Sequence, residues 1–109
     1  QRQMCIRDRS KDILKLRHSL MEEENNEYLK AVEEKNLIEV ADALGDMLYI
    51  LCGTILTHGF QNLIEDIFDE IQSSNMSKLG DDGKPIYRND GKVLKGPNYK
   101  KPNIKKIIN

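Results

Sequence analysis

The 109-residue sequence contains no tryptophan, two phenylalanines, two cysteines and three prolines. Two cysteines cannot build the multi-bridge framework of a small secreted domain, so stability has to come from packing or partners. Cys52 stands in an apolar segment and is expected to be a reduced core thiol. Few aromatic residues means no stacking platform for single-stranded nucleic acid. The net charge of −1 gives no strong bulk attraction to nucleic acid or membrane. The longest uninterrupted apolar run, Met47–Cys52, is far short of a membrane span, and there is no signal-peptide pattern. No membrane and no nucleic-acid partner are therefore expected, and a cytoplasmic location is the default.

Charge is unevenly placed. From Ser10 to Ser77 there are 14 acidic and 5 basic residues, and from Lys78 to Asn109 there are 3 and 9. An acidic body with a basic tail suggests a cation in the first and an anionic ligand near the second. The length fits one domain, organised as a leader (1–9), a helical core (10–79) and a basic tail (80–109) that lies on the core or on a neighbouring subunit. A core of this size is marginal alone, so a homodimer or homotetramer is expected.

Gln1 to Arg9 shows no periodicity and no cap. The string QRQMCIRDR reads as translated adaptor rather than native protein, and the native N-terminus is expected to be missing. Ser10 is a good N-cap, and the apolar spacing from Ile13 to Val32 predicts a first helix over 11–34. Lys35-Asn36 is a short connection to a second helix over 37–58, stopped by Gly59. Gly45 and Gly53 interrupt that helix, each expected to admit close approach of a helix or ligand. A third helix is expected over 61–79, with Leu63, Ile64, Ile67, Phe68 and Ile71 as its apolar stripe and Glu65, Asp66, Asp69 and Glu70 facing water. In the tail, Asp90-Gly91 between two extended runs predicts a small hairpin over 85–94.

The second helix is apolar on nearly every face, which predicts burial. Yet Glu39, Asp42 and Asp46, at i, i+3 and i+7, fall within roughly one quadrant of it. Like charges held together on a core helix raise their pKa values or acquire something positive among them. Glu23, Glu24 and Glu27 ride on the first helix, and an antiparallel pairing turns the two clusters toward each other. Such an oxygen-only set suits Mg²⁺, with Mn²⁺ as the alternative. The bland reading of Glu24 and Glu27 is a solvated acidic face, and His18 and His58 are read as surface or satisfied residues. Asn75 and Lys78, at i and i+3, project an amide and an ammonium together, although Lys78 also suits a helix C-terminus.

Glu23-Glu24-x-x-Glu27 followed by Glu39-x-x-Asp42 resembles the EExxE…ExxD signature of the all-α nucleoside triphosphate pyrophosphohydrolases. ADALGDMLYILCGTILTHGF and SNMSKLGDDGKPIYRNDGKVLKGPNYKKPNI are similar to the MazG-like or phosphoribosyl-ATP pyrophosphohydrolase-like branch. The resemblance spans about 15–109. It implies an all-α antiparallel bundle of about three helices, with a preceding helix missing. The implied reaction converts an NTP or dNTP and water to the monophosphate and pyrophosphate, with Mg²⁺. It further implies that Glu24, Glu27, Glu39, Asp42 and Asp46 hold metal, that Glu23 (with Glu24 the catalytic pair) orients or deprotonates water, and that Asn75, Lys78, Lys92 and Lys95 contact substrate phosphate, the last two from this subunit or another.

The pattern departs from the signature in two places. Eleven residues separate Glu27 from Glu39, at or just below the usual lower bound. Many members also place the ExxD aspartate directly before the L-Y run, which here is Asp46, with Ala43 where the glutamate would stand. The ligand is therefore Asp42, Asp46 or both. A non-catalytic nucleotide-binding or scaffolding protein of the same fold is the alternative function, and a nucleic-acid-binding tail on a helical dimerisation module rests on the tail charge alone.

Overall fold

Ser10 opens the first helix, its hydroxyl accepting the Asp12 backbone N–H at 3.1 Å. The computed structural model describes residues 10–109, so the leader Gln1–Arg9, with Cys5, lies outside the described residues. Helix α1 spans Lys11–Glu33 and α2 spans Leu37–Thr57. The connection is tight because Lys35 adopts the left-handed conformation (φ 55°). Its N–H then reaches Val32 O at 3.0 Å, and the Asn36 N–H reaches Ala31 O at 3.1 Å. Asn36 goes on to cap α2 by accepting the Glu39 N–H at 3.2 Å. Gly59, at φ 75°, ends α2 with the same bonding pattern.

Chain contacts cluster into two units, one ending at Gln61 and the other spanning Asn62–Asn109. In the first, α1 and α2 pair antiparallel: Arg17, early in α1, bonds to Ile50 and Thr54, late in α2. Buried Ala31 and Ala43 let the backbones approach. The sequence predicts a buried α2, and within this chain it is not. Leu37, Ile38 and Tyr49 are each about four-fifths exposed, and Leu48 is 62% exposed. The reason is geometric: α1 covers a single face of a helix that is apolar on several. Cys52 accordingly lies exposed, not in a core. By length and composition α2 would also pass as a membrane span, with 21 residues and a mean hydropathy of 1.4 in its most apolar window. The core helix of a soluble protein meets the same test.

The second unit is built on α3, Ile64–Met76. This helix is shorter than the spacing predicts. Leu63, at its N-cap, has no side-chain acceptor to offer. At the other end the Ser77 hydroxyl donates to Ser74 O at 2.6 Å, a local bond that competes with continued helix. Phe68, assigned to the apolar stripe, is 64% exposed. Glu70, expected to face water, instead accepts the Asn103 N–H at 2.8 Å and pairs with Lys106 at 3.3 Å. One helical turn on, Ser74 donates to Lys100 O and Ser77 accepts the Lys100 N–H, both at 2.8 Å. Glu70, Ser74 and Ser77 (i, i+4, i+7) thus form a polar clamp for residues 100–106. In the sequence between α3 and the clamped residues lies the hairpin, β1 (Ile86–Tyr87) antiparallel to β2 (Val93–Leu94) with Ile86 opposite Leu94. Gly91 (φ 89°) turns it, and the Arg88–Asp90 ion pair sits in its loop. A short α4, Lys105–Ile108, closes the chain and has no counterpart in the sequence reading. The described residues are thus mostly helical, with one two-stranded sheet.

Candidate functional site

Glu24 is the centre of the acidic cluster. It sits on α1 facing α2, half-buried, while Glu23 and Glu27 on either side are exposed. Its Oε2 is shut off from solvent and has no hydrogen-bond partner among the described residues. Burial, followed by the charges of Asp46, Glu27, Glu23 and Asp42, pushes the Glu24 carboxyl above its ordinary value. The order of those charges bears on the choice between Asp42 and Asp46: Asp46 acts most strongly on Glu24 and Asp42 least. Helix geometry accounts for this. Asp46, three residues beyond buried Ala43, lies about 60° round the helix from it, and Asp42, the residue before Ala43, about 100°, although both side chains are exposed. Glu39, in the first turn of α2, is exposed and does not figure among the charges acting on Glu24.

These side chains do not close into a ready shell. Among the described residues no group of three or more His, Cys, Asp or Glu stands in a metal-holding arrangement. The donor chemistry nevertheless fits a hard divalent cation. All donors are carboxylate oxygens, and one of them, Glu24 Oε2, has no partner in the middle of like charge.

The four residues assigned to phosphate contact all belong to the second unit. Asn75 is exposed near the end of α3, and its carbonyl accepts the Lys78 N–H at 3.1 Å. Lys78 lies past the C-cap Ser77, so it is not the last-turn residue of a helix. The Lys78 carbonyl accepts the Gly96 N–H at 2.8 Å, which brings the Lys95 backbone beside it. The Lys95 ammonium sits 4.9 Å from the centre of the Tyr99 ring. Lys92 is in the hairpin loop, its N–H donating to Asp90.

Two features of the α1–α2 pair escape sequence reasoning. Met21, Met47, Leu48 and Leu51 line a cleft of about 220 Å³. Their spacing reads equally well as ordinary core. Arg17 donates from Nε to Thr54 Oγ1 at 3.1 Å and from Nη2 to Ile50 O at 2.9 Å, lying over Gly53. The interior glycine was the available signal for that contact, but it does not say which side chain arrives.

The profile of the phosphoribosyl-ATP pyrophosphohydrolase family matches residues 6–75, more than half of the chain. The chain belongs to this family. Across 89% of its length it is similar to the crystal structure of a candidate NTP pyrophosphohydrolase from Exiguobacterium sp. 255-15, with a TM-score of 0.56 and 28% identity. A 48-residue stretch is 46% identical to the uncharacterized protein L479 of Acanthamoeba polyphaga mimivirus. The chain spans 61% of the first of these relatives and 19% of the second. The family match covers α1, α2 and nearly all of α3, and so includes every carboxylate of the Glu24 cluster.

Proposed function

We propose that the chain hydrolyses nucleoside or deoxynucleoside triphosphates to the monophosphate and pyrophosphate, at the carboxylate group centred on Glu24. The carrying observation is the partnerless, enclosed Glu24 Oε2 amid four further carboxylates on two facing helices. As it stands this group repels a polyphosphate. Oxygen-rich clusters of this kind take Mg²⁺, or Mn²⁺, which when bound supplies positive charge to phosphoryl oxygens.

The chain's own residues have distinct parts. Glu24, Glu27 and Asp46 hold the cation, with Asp42 and Glu39 at the margin. Glu23, exposed beside the cluster, orients a water and takes its proton as the water oxygen bonds to the α-phosphorus. The bond from that phosphorus to the bridging oxygen breaks, and pyrophosphate leaves. The phosphate-contact role of Asn75, Lys78, Lys92 and Lys95 rests on their charge and hydrogen-bonding capacity alone.

Homo-oligomerisation belongs to the same reading. The exposed leucine, isoleucine and tyrosine side chains of α2 are supported as a face for a second copy, as dimer or tetramer, because the carboxylates in its first half make it a poor membrane span. A cytoplasmic location is part of the same proposal.

Pyrophosphate release from a panel of NTPs and dNTPs with Mg²⁺ tests the proposal, comparing the natural chain with Glu24→Gln, Asp42→Asn and Asp46→Asn. Loss in Glu24→Gln and Asp46→Asn, with a smaller effect in Asp42→Asn, is expected. One observation favours a second reading, a non-catalytic nucleotide-binding protein of the same fold: Ala43, three residues before Asp46 where the resemblance would place the glutamate of ExxD, is not an acid and is buried. Nucleotide binding without release of pyrophosphate from any substrate would establish that reading instead.

A further inference from the structure

Gly96 stands where two stretches of backbone nearly touch. Its N–H donates to Lys78 O at 2.8 Å. A Cβ at Gly96 would lie 2.5 Å from both the Lys78 and the Leu79 carbonyl oxygens, and 3.0 Å from the Leu79 carbonyl carbon. These are backbone atoms, which cannot swing aside as the end of a long side chain can. The glycines at positive φ are Gly59, Gly83 and Gly91. Gly96 is therefore required for close approach and not for its backbone angle.

The junction is tied on its far side as well. The Tyr99 N–H returns to Gly96 O at 3.3 Å, and Asn98 Nδ2 donates to Asp81 Oδ1 at 3.1 Å. The turn so formed carries the Tyr99 ring to the Lys95 ammonium, 4.9 Å from the ring centre. Lys95 and Lys78 thus rise from adjoining backbone. Lys78 is half-buried, and neither lysine pairs with a carboxylate among the described residues. Two cations rooted side by side without a counter-ion repel each other, and an anion bound by both relieves that repulsion.

We propose that Gly96 and Tyr99 are positioning residues: the close approach at Gly96 and the ring of Tyr99 set Lys95 beside Lys78, so that the two ammoniums grip one polyphosphate. The inference rests on the proposed triphosphate reading for the identity of the anion, and deepens it by naming what builds the grip. Neither Gly96 nor Tyr99 touches the anion in this account. Each acts through Lys95, by fixing where its charge stands.

NMR titration of the full chain with inorganic pyrophosphate, in low salt and without divalent cation, reads the grip apart from the carboxylates and apart from turnover. The Lys78 and Lys95 amide resonances report occupancy. Lys95→Gln and Gly96→Ala are each expected to raise the half-saturation about tenfold, roughly the worth of one charged hydrogen bond. Combined, they are expected to raise it no further, because Gly96 acts through Lys95. Tyr99→Leu is expected to weaken binding about threefold, and Tyr99→Phe to bind as the natural chain does. Effects of Gly96→Ala and Lys95→Gln that multiply, as general loosening of the fold would give, overturn the proposal. So does an unchanged half-saturation in Gly96→Ala, or resonances that pyrophosphate leaves in place. If Gly96→Ala does not fold, the Tyr99 pair decides, and equal half-saturations in Tyr99→Leu and Tyr99→Phe overturn the proposal. If the expected pattern holds but no triphosphate is hydrolysed, the grip stands and the hydrolytic reading fails. If triphosphates are hydrolysed while Gly96→Ala binds pyrophosphate like the natural chain, this inference alone fails.

Discussion

The Arg17 guanidinium occupies the space that a side chain at Gly53 would need: a Cβ there would lie 2.6 Å from Arg17 Nη2. This contact joins the early part of α1 to the late part of α2, through hydrogen bonds to Thr54 Oγ1 and Ile50 O. Gly45, eight residues earlier in α2, has nothing within 4 Å of the equivalent position. The two interior glycines therefore call for opposite outcomes.

Gly45→Ala is expected to stabilise the chain by about 0.5–1 kcal/mol through helix propensity alone. Gly53→Ala gains the same propensity but forces the flexible guanidinium end of Arg17 to shift, weakening without abolishing two charged hydrogen bonds that are each worth roughly 1.5–3 kcal/mol net of water. A net loss of about 1–2 kcal/mol is expected, read as a lower urea midpoint at unchanged slope. Equal effects of the two substitutions would show that the Arg17 contact contributes nothing.

Lys35 is the one non-glycine residue at positive φ among the described residues (φ 55°), and it stands where Gly59 stands at the end of α2. Lys35→Gly removes the left-handed penalty and is expected to stabilise by about 0.5–1 kcal/mol, after the added freedom of the unfolded chain is subtracted. Thermal unfolding checks it, with a rise of a few degrees expected for a chain of this size.

Helices α1 and α2 were legible in the sequence because local signals, Ser10 and Gly59, mark their outer ends, and Asp90-Gly91 located the hairpin. The pairing of α1 with α2 also follows from the sequence, since a two-residue connection leaves little choice but antiparallel neighbours. Where Cys52 and the apolar face of α2 end up was not legible, because burial depends on how many neighbours cover a helix. The Glu70 clamp was hidden for a similar reason. A glutamate on an acidic face looks solvated until a distant backbone N–H, here that of Asn103, is brought to it. For the site, spacing singled out Glu24 and its neighbours. The sequence leaves Asp42 and Asp46 as equal candidates beside it, and how strongly each acts on the Glu24 carboxyl depends on the turn of α2 against α1.

The Glu70 clamp predicts a specific acid sensitivity. The Asn103 N–H, then Lys106, hold the Glu70 carboxyl below its ordinary value of 4.5. A lowered folded-state value contributes stability that is fully present above 4.5 and is lost as pH falls through the folded value. Amide exchange at Asn103 is therefore expected to be slow at neutral pH and to lose protection in acid beyond the intrinsic pH dependence of exchange. Glu70→Gln should show weak protection at both. Unchanged protection of Asn103 in that variant would mean the segment is held by Ser74 and Ser77 alone.

Glu24 carries the opposite sign. Its carboxyl is held above the ordinary 4.5, so its contribution to the stability of the metal-free chain is present at low pH and is lost as pH rises through the raised value. A cation that needs the deprotonated carboxylate binds better over the same rise. Melting temperatures with and without Mg²⁺ should therefore diverge with increasing pH, since a ligand of the native state stabilises it. Glu24→Gln removes one of the mutually repelling charges and is expected to raise the metal-free melting temperature while abolishing the Mg²⁺ shift. Asp46→Asn should reduce that shift more than Asp42→Asn, following the strength with which each acts on Glu24. A Mg²⁺ shift that survives in Glu24→Gln would move the cation away from the α1–α2 interface, and the hydrolytic reading with it.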